Sequence, residues 1–186
     1  MKLRNRIVAL LVGLCASAAA AAGQVDLNLN NDVIEGSYSS DPTTYQYRFG
    51  ALRDADTHDW LVHAGFIVLG EHVNPSVRSH IGVGGRVYAG SSGSSDVVAV
   101  PLGVQFTWYP GDSAIGVGGY AFYAPNVLTG LDAKNFLDAG VRIEAEVIKP
   151  TAVVYVGYRR VQAKFKDMDG ATKIDSGVNV GLRLSF

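Results

Sequence analysis

The chain has 186 residues and a formal net charge of −1, a length that suits one domain and a balance that gives nucleic-acid binding no electrostatic support. Only 18% of residues are charged, against 22 glycines, 9 tyrosines and 7 phenylalanines. The single cysteine, Cys15, falls in a leader, so the rest of the chain is predicted to hold no disulfide and no thiolate metal site; a protein crossing an oxidising compartment unfolded avoids stray disulfides this way.

The leader comes first. Lys2, Arg4 and Arg6 precede an apolar run, Ile7 to Leu14, and small residues ending Ala20-Ala21-Ala22 before Gly23. That order of charge, apolar core and small-residue exit predicts a cleavable signal peptide at 1–22 and a single domain at 23–186. The apolar run falls short of the roughly 20 residues of a membrane anchor, and no later stretch reaches that length. Leu14 is too bulky for lipid attachment at Cys15, which is read as part of the leader.

Beyond it, alternation with period two dominates. Val25, Leu27 and Leu29 alternate with Asp26 and Asn28; Asn30-Asn31-Asp32 reads as a turn, and Val33–Ser39, containing Glu35, as a return strand. Segment 44–51 sets Tyr45, Tyr47 and Phe49 against Gln46 and Arg48. Segment 59–69 sets Trp60, Val62, Phe66 and Val68 against His63 and Gly65. Segment 77–89 sets Val77, Ile81, Val83 and Val87 against Arg78, His80, Gly82, Gly84 and Arg86. In 96–109, Val98, Val100, Leu102, Val104, Phe106 and Trp108 share a face, with Pro101 marking a bulge or distortion. Segment 113–124 is rich in glycine. Segment 136–147 sets Leu137, Ala139, Val141, Ile143, Ala145 and Val147 against Asp138, Gly140, Arg142, Glu144 and Glu146. In 151–165 the phase changes between Val154-Val156-Tyr158 and Val161-Ala163-Phe165, which predicts a bulge near Arg159-Arg160. The last strand sets Ile174, Ser176, Val178, Val180, Leu182, Leu184 and Phe186 against Asp175, Gly177, Asn179, Gly181, Arg183 and Ser185.

Several of these runs are about 9–13 residues long, the span of a tilted membrane strand. Tight turns at 110–112 and 149–150 contrast with longer, more polar links at 91–95, 125–135 and 166–172, the habit of a membrane barrel with short periplasmic turns. Segments 44–186 supply eight strands and the first hairpin makes ten, the count we favour. The fold class is therefore all-β: a closed antiparallel up-and-down transmembrane β-barrel. A soluble sheet is the rival. Against it stand aromatics at strand ends, predicted to form girdles at the headgroup level (Tyr45, Tyr47, Trp60, Trp108, Tyr109, Tyr120, Tyr123, Phe165 and Phe186). Charged polar faces argue the same way, since a soluble barrel would bury apolar ones. The closing aromatic, Phe186, reads as an assembly signal for the barrel-assembly machinery. The expected location is a Gram-negative outer membrane.

The segment Val25–Tyr38, the run Ile81–Tyr88, the stretch Tyr120–Leu128 with Tyr-Ala-Pro-Asn, the element Gly157-Tyr158-Arg159-Arg160 and the ending Gly181–Phe186 together resemble the YfaZ-type outer-membrane proteins. The resemblance implies an outer-membrane barrel and no particular activity.

On the polar faces the acids Asp26, Glu35, Asp138, Glu144, Glu146 and Asp175 match the bases Arg48, Arg78, Arg86, Arg142, Arg159 and Arg183. Balanced charges in a narrow lumen are expected to pair and plug it. A small-solute channel would instead need a one-sided charge constriction. A membrane-embedded lipid hydrolase would need a base beside a nucleophile; His63 and His80 are conceivable bases, Ser76, Ser79 and Ser176 conceivable nucleophiles, and Glu71 a conceivable orienter, but no motif joins them and no catalytic residue is assigned. Asp54, Asp56, His58 and Asp59 crowd one loop without a coordination pattern, so no metal or cofactor is expected. Lys164, Lys166 and Lys173 flank a loop where lipopolysaccharide phosphates could meet them. The expected partners are outer-membrane lipid, lipopolysaccharide and the assembly machinery, and the protein is expected to be a monomer. Gly82–Gly85 and Gly116–Gly119 lie in strands, where they ease curvature and make room for arginine side chains.

Overall fold

With hydrocarbon outside, described residues that include no helix long and apolar enough to cross a membrane have to satisfy their backbone polar groups between strands, and only closure leaves no open edge. The computed structural model describes residues 22–40, 44–93, 95–166 and 170–186; the predicted signal peptide lies outside them except for Ala22. The strands are β1 (Gly23–Leu29), β2 (Val33–Ser40), β3 (Tyr45–Asp54), β4 (Trp60–Asn74), β5 (Val77–Ser92), β6 (Ser95–Ala99), β7 (Leu102–Pro110), β8 (Ile115–Ala124), β9 (Thr129–Leu131), β10 (Ala133–Ile148), β11 (Ala152–Phe165) and β12 (Ala171–Ser185).

All pair antiparallel with their neighbours, and the sheet closes into a ten-stranded barrel. The seam joins β1 to β12, from Gln24↔Ser185 to Leu29↔Val180, and ends in reciprocal bonds of 3.0 Å between Gly23 and Phe186. β6 and β7 are two pieces of one wall strand, since both pair with β5. The break falls at Val100-Pro101, where proline lacks an N–H; the Pro101 carbonyl still accepts from Arg86 N at 3.0 Å. The long link after β8 is not a free loop. It forms a 3₁₀ turn at Asn126–Leu128 and then β9, which pairs with the outer edge of β6.

Outward residues are apolar around the whole wall: Phe49, Phe66, Val83, Val104, Val141, Val156 and Val180 are all exposed. Inward residues divide the lumen in two. The half nearer the seam's Gly23–Phe186 end (the terminal end) is polar. The far half is an apolar core of Leu52, Leu61, Val97, Phe136, Val161 and Phe165 among others, with Tyr88 and Phe136 rings 4.7 Å apart.

This division corrects three expectations. β11 has no bulge at Arg159-Arg160: Arg159, Val161, Ala163 and Phe165 stay buried in strict alternation. In the sequence the apolar phase changes because the surroundings change, while the burial alternation does not. Beyond Tyr158 the outward residues are Arg160, Gln162 and Lys164, so on this strand the polar side has moved outward and the apolar side inward. The register shift lies instead opposite Val161 and Gln162, on β12, and it turns Ile174 inward to 3% exposure rather than toward lipid. Finally, Tyr109 and Phe165 are buried inside and Tyr120 reaches an inward carboxylate, so they are not girdle residues; Tyr45, Tyr47, Trp60, Trp108, Tyr123 and Phe186 are exposed outside.

Phe136 is fully buried. Phe136→Ala is expected to destabilise the folded barrel by about 3–5 kcal/mol, read as a lowered urea midpoint in detergent. Phe106→Leu, on the outer wall, should move the midpoint by well under about 1.5 kcal/mol.

Candidate functional site

Alternate, inward positions along the strands put charged side chains from most of the barrel into one narrow space, where each must find a partner within the wall. They meet in three tiers. In the tier nearest the terminal end, Arg78 Nη1 and Nη2 donate to both Glu146 carboxylate oxygens at 3.0 and 2.8 Å, and Lys149 Nζ lies 3.5 Å from the same group. Bidentate arginine–carboxylate pairs are the strongest of the ordinary charge-assisted contacts. In the next tier Glu144 accepts from Arg142 Nε, from Arg183 Nη2 at 3.4 Å and from the Tyr109 hydroxyl at 2.6 Å. Arg183 Nε also donates to Asp26 at 3.2 Å, and Asp26 accepts from the Tyr155 hydroxyl.

The third tier centres on Asp138, which is 0% exposed. Arg86 Nη1 and Arg159 Nε each lie 3.3 Å from its carboxylate. The Tyr88 hydroxyl donates to it at 2.6 Å and the Tyr120 hydroxyl at 3.1 Å. Arg86 also lies over the Phe122 ring, 3.9 Å from its centroid, which gives the cation a second favourable contact. Arg159 bridges onward to Glu35 and, at 3.8 Å, to Asp175; Asp175 accepts from Asn30 Nδ2 at 2.8 Å. His63 Nε2 is 3.1 Å from Glu35 Oε1. The carboxylates and guanidiniums are thus interleaved across the lumen, and the apolar core begins immediately beyond them.

All twelve residues named from the polar faces point into the lumen, and eleven contact an opposite charge. Arg48 does not, among the described residues; its Nη2 donates to the Ser37 hydroxyl at 2.9 Å. The tyrosines 88, 109, 120 and 155, with Asn30, complete the tiers and were not read from the sequence. Their signal was phase: Tyr88 is in step with Arg86, and Tyr155 with Gly157 and Arg159.

The other candidate groups fall apart. His80 Nε2 and Glu71 Oε1 are 3.2 Å apart near the terminal end, yet the Ser79 hydroxyl is directed to the His72 carbonyl at 3.4 Å and Ser176 lies against the Tyr158 hydroxyl at 3.0 Å. In the acidic loop, Asp54 accepts the backbone N–H groups of Asp56 and Thr57, both at 2.8 Å, while Asp59 accepts from Ser92 and Gly93 at 2.6 and 2.9 Å. Asp54 thus serves its own turn and Asp59 the β5–β6 turn, and among the described residues no group of three or more His, Cys, Asp or Glu could hold a metal.

A closed antiparallel wall, apolar outside and lined with tiers of opposite charge in one half of its interior, defines an outer-membrane β-barrel protein. The chain belongs to the YfaZ family, whose model, described as YfaZ precursor, matches residues 2–186. Among solved structures, the outer membrane protease OmpT from Escherichia coli is similar in outline, at 12% identity over 89% of this chain and 93% of that one, with a TM-score of 0.44. No curated protein matches the sequence.

Removing the Asp138 carboxylate would leave Arg86 without a carboxylate and Arg159 with a weaker set. Asp138→Ala is expected to destabilise the barrel by about 3–5 kcal/mol, the cost of breaking a buried pair by losing one partner. Urea titration of the refolded variant beside the native protein measures it.

Proposed function

We propose that the protein is a closed barrel of a Gram-negative outer membrane, with its terminal end toward the periplasm and a structural or interaction role rather than that of an open pore. The observation that carries this reading is the Asp138 tier. An ion passing along the axis would have to separate Asp138 from Arg86 and Arg159 and then cross an apolar core that offers it no partner. Both steps strip charge of its partners in a low-dielectric space. A selective channel would need a wetted, one-signed constriction, and the interleaved signs do not supply one. A hydrolase would need the His80–Glu71 pair to meet a nucleophile; Ser79 and Ser176 are directed elsewhere, and Ser76 lies in the β4–β5 turn.

The lipid wall suggests partners. On β11 and β12 the apolar band gives way to Arg160, Lys164 and Lys173 on the outer side toward the far end. Lysine and arginine at headgroup height are suited to the phosphates of lipopolysaccharide. The last strand supports recognition by the assembly machinery through its alternating face ending in Phe186, and the complete apolar belt suits a monomer in lipid.

Planar-bilayer recording of the refolded protein tests the closed barrel. The expected result is a baseline near that of protein-free membrane, with at most brief openings. Large, steady ohmic conductance would overturn the reading.

A further inference from the structure

Below the Asp138 tier the lumen is not filled. A cavity of about 260 Å³ opens there, lined by side chains from most wall strands, among them Gln24, Gln46, Arg48, Gln105, Arg142 and Arg183. Its lining holds four arginines (Arg48, Arg78, Arg142, Arg183) against three carboxylates (Asp26, Glu144, Glu146). All three carboxylates are already engaged: Asp26 by Arg183 and Tyr155, Glu144 by Arg142, Arg183 and Tyr109, Glu146 by Arg78 and Lys149. The excess positive charge therefore resides on Arg48. Its bond to Ser37 is to a neutral oxygen, and its Nε is shielded from solvent with no acceptor among the described residues. Arg48 stands at the inner end of the space. Its register partner on β4 is Gly65, and the partner of Gly65 on β5 is Arg86, whose charge is met by Asp138 at 3.3 Å, so Arg48 is the guanidinium on this side left without a carboxylate contact among the described residues.

We propose that this cavity is a binding site for a small free oxyanion, with Arg48 as its principal contact. A guanidinium that lacks a carboxylate inside a low-dielectric wall is costly, and an oxyanion meets it with matching planar geometry. The Gln46 and Gln105 amides, bonded to each other at 3.1 Å, line the same space and offer polar groups to the ligand or its water. A lipid headgroup is excluded as the source, because the sheet wall separates this space from the bilayer; the ligand enters from the aqueous terminal end. The site is independent of whether the barrel conducts.

The test uses the refolded full barrel in zwitterionic detergent, with inorganic phosphate as probe and chloride at matched ionic strength as reference. Phosphate is expected to shift the Arg48 side-chain ¹⁵Nε resonance saturably and to raise the thermal midpoint, while chloride does neither. Arg48→Gln is expected to weaken phosphate affinity by about tenfold or more, the loss of one charge-assisted contact, and to abolish the phosphate-dependent rise in midpoint. Arg160→Gln, on the outer wall, should leave both effects intact. If Arg48→Gln does not refold, Arg48→Lys is used, which keeps the charge, loses the fork and should weaken affinity partially. No saturable shift of the Arg48 resonance, an equal effect of chloride, or undiminished affinity in the Arg48 variant would each overturn the proposal.

Discussion

A wall that has hydrocarbon on one side must place its polarity on the other, and in this barrel that constraint orders everything inside. Lipid accepts no hydrogen bond from the backbone, so the sheet closes on itself from β1 to β12. It accepts no charge either, so arginines and carboxylates turn inward, where water is scarce and each needs a near neighbour of opposite sign. The tiers around Glu146, Glu144 and Asp138 satisfy that need. The apolar core of the far half satisfies the complementary one: where the outer side of β11 becomes polar at Arg160, the inner side becomes apolar at Val161. The edge of the hydrocarbon is thus written on both faces of one strand.

Filling the lumen with long side chains requires space at the wall, and the inward glycines provide it. A Cβ on Gly181 would fall 2.1 Å from the Tyr155 ring, and one on Gly65 would fall 2.9 Å from Arg86 Cγ. The rings and guanidinium stems lie flat across these positions. Glycine on the polar faces is thus the counterpart of tyrosine and arginine on the next strand.

Much of the fold was legible because adjacent residues of a lipid-bounded strand face opposite environments, and period-two alternation records that difference residue by residue. β10 and the later part of β12 could be read directly. β11 could not, since its outer surroundings change along its length and the same alternation then reverses its chemical meaning. Ile174 escaped because a register shift is a property of two paired strands and leaves no mark in one. Tyr109, Tyr120 and Phe165 were misplaced because an aromatic at a strand end suits a headgroup layer or a lumen equally; only phase relative to neighbouring arginines or alanines separates the cases. The charged residues were visible individually, but their partners were not. Glu35 meets Arg159 across 124 positions of sequence, and such matches depend on curvature and strand tilt that composition does not encode. Arg48 looked like any other arginine in the balanced set, and only the three-dimensional pairing separates it from the rest.

The convergence of Arg86, Arg159, Tyr88 and Tyr120 on one carboxylate has a consequence for how such a protein can change over generations. Positions 86, 138 and 159 share a single electrostatic account, so a change at one alters what the others can be. A lineage that loses the acid at 138 is viable when a guanidinium opposite is lost with it or another acid arises alongside. These sites are bound to drift as a group, and comparison of related chains should find them substituted together or not at all.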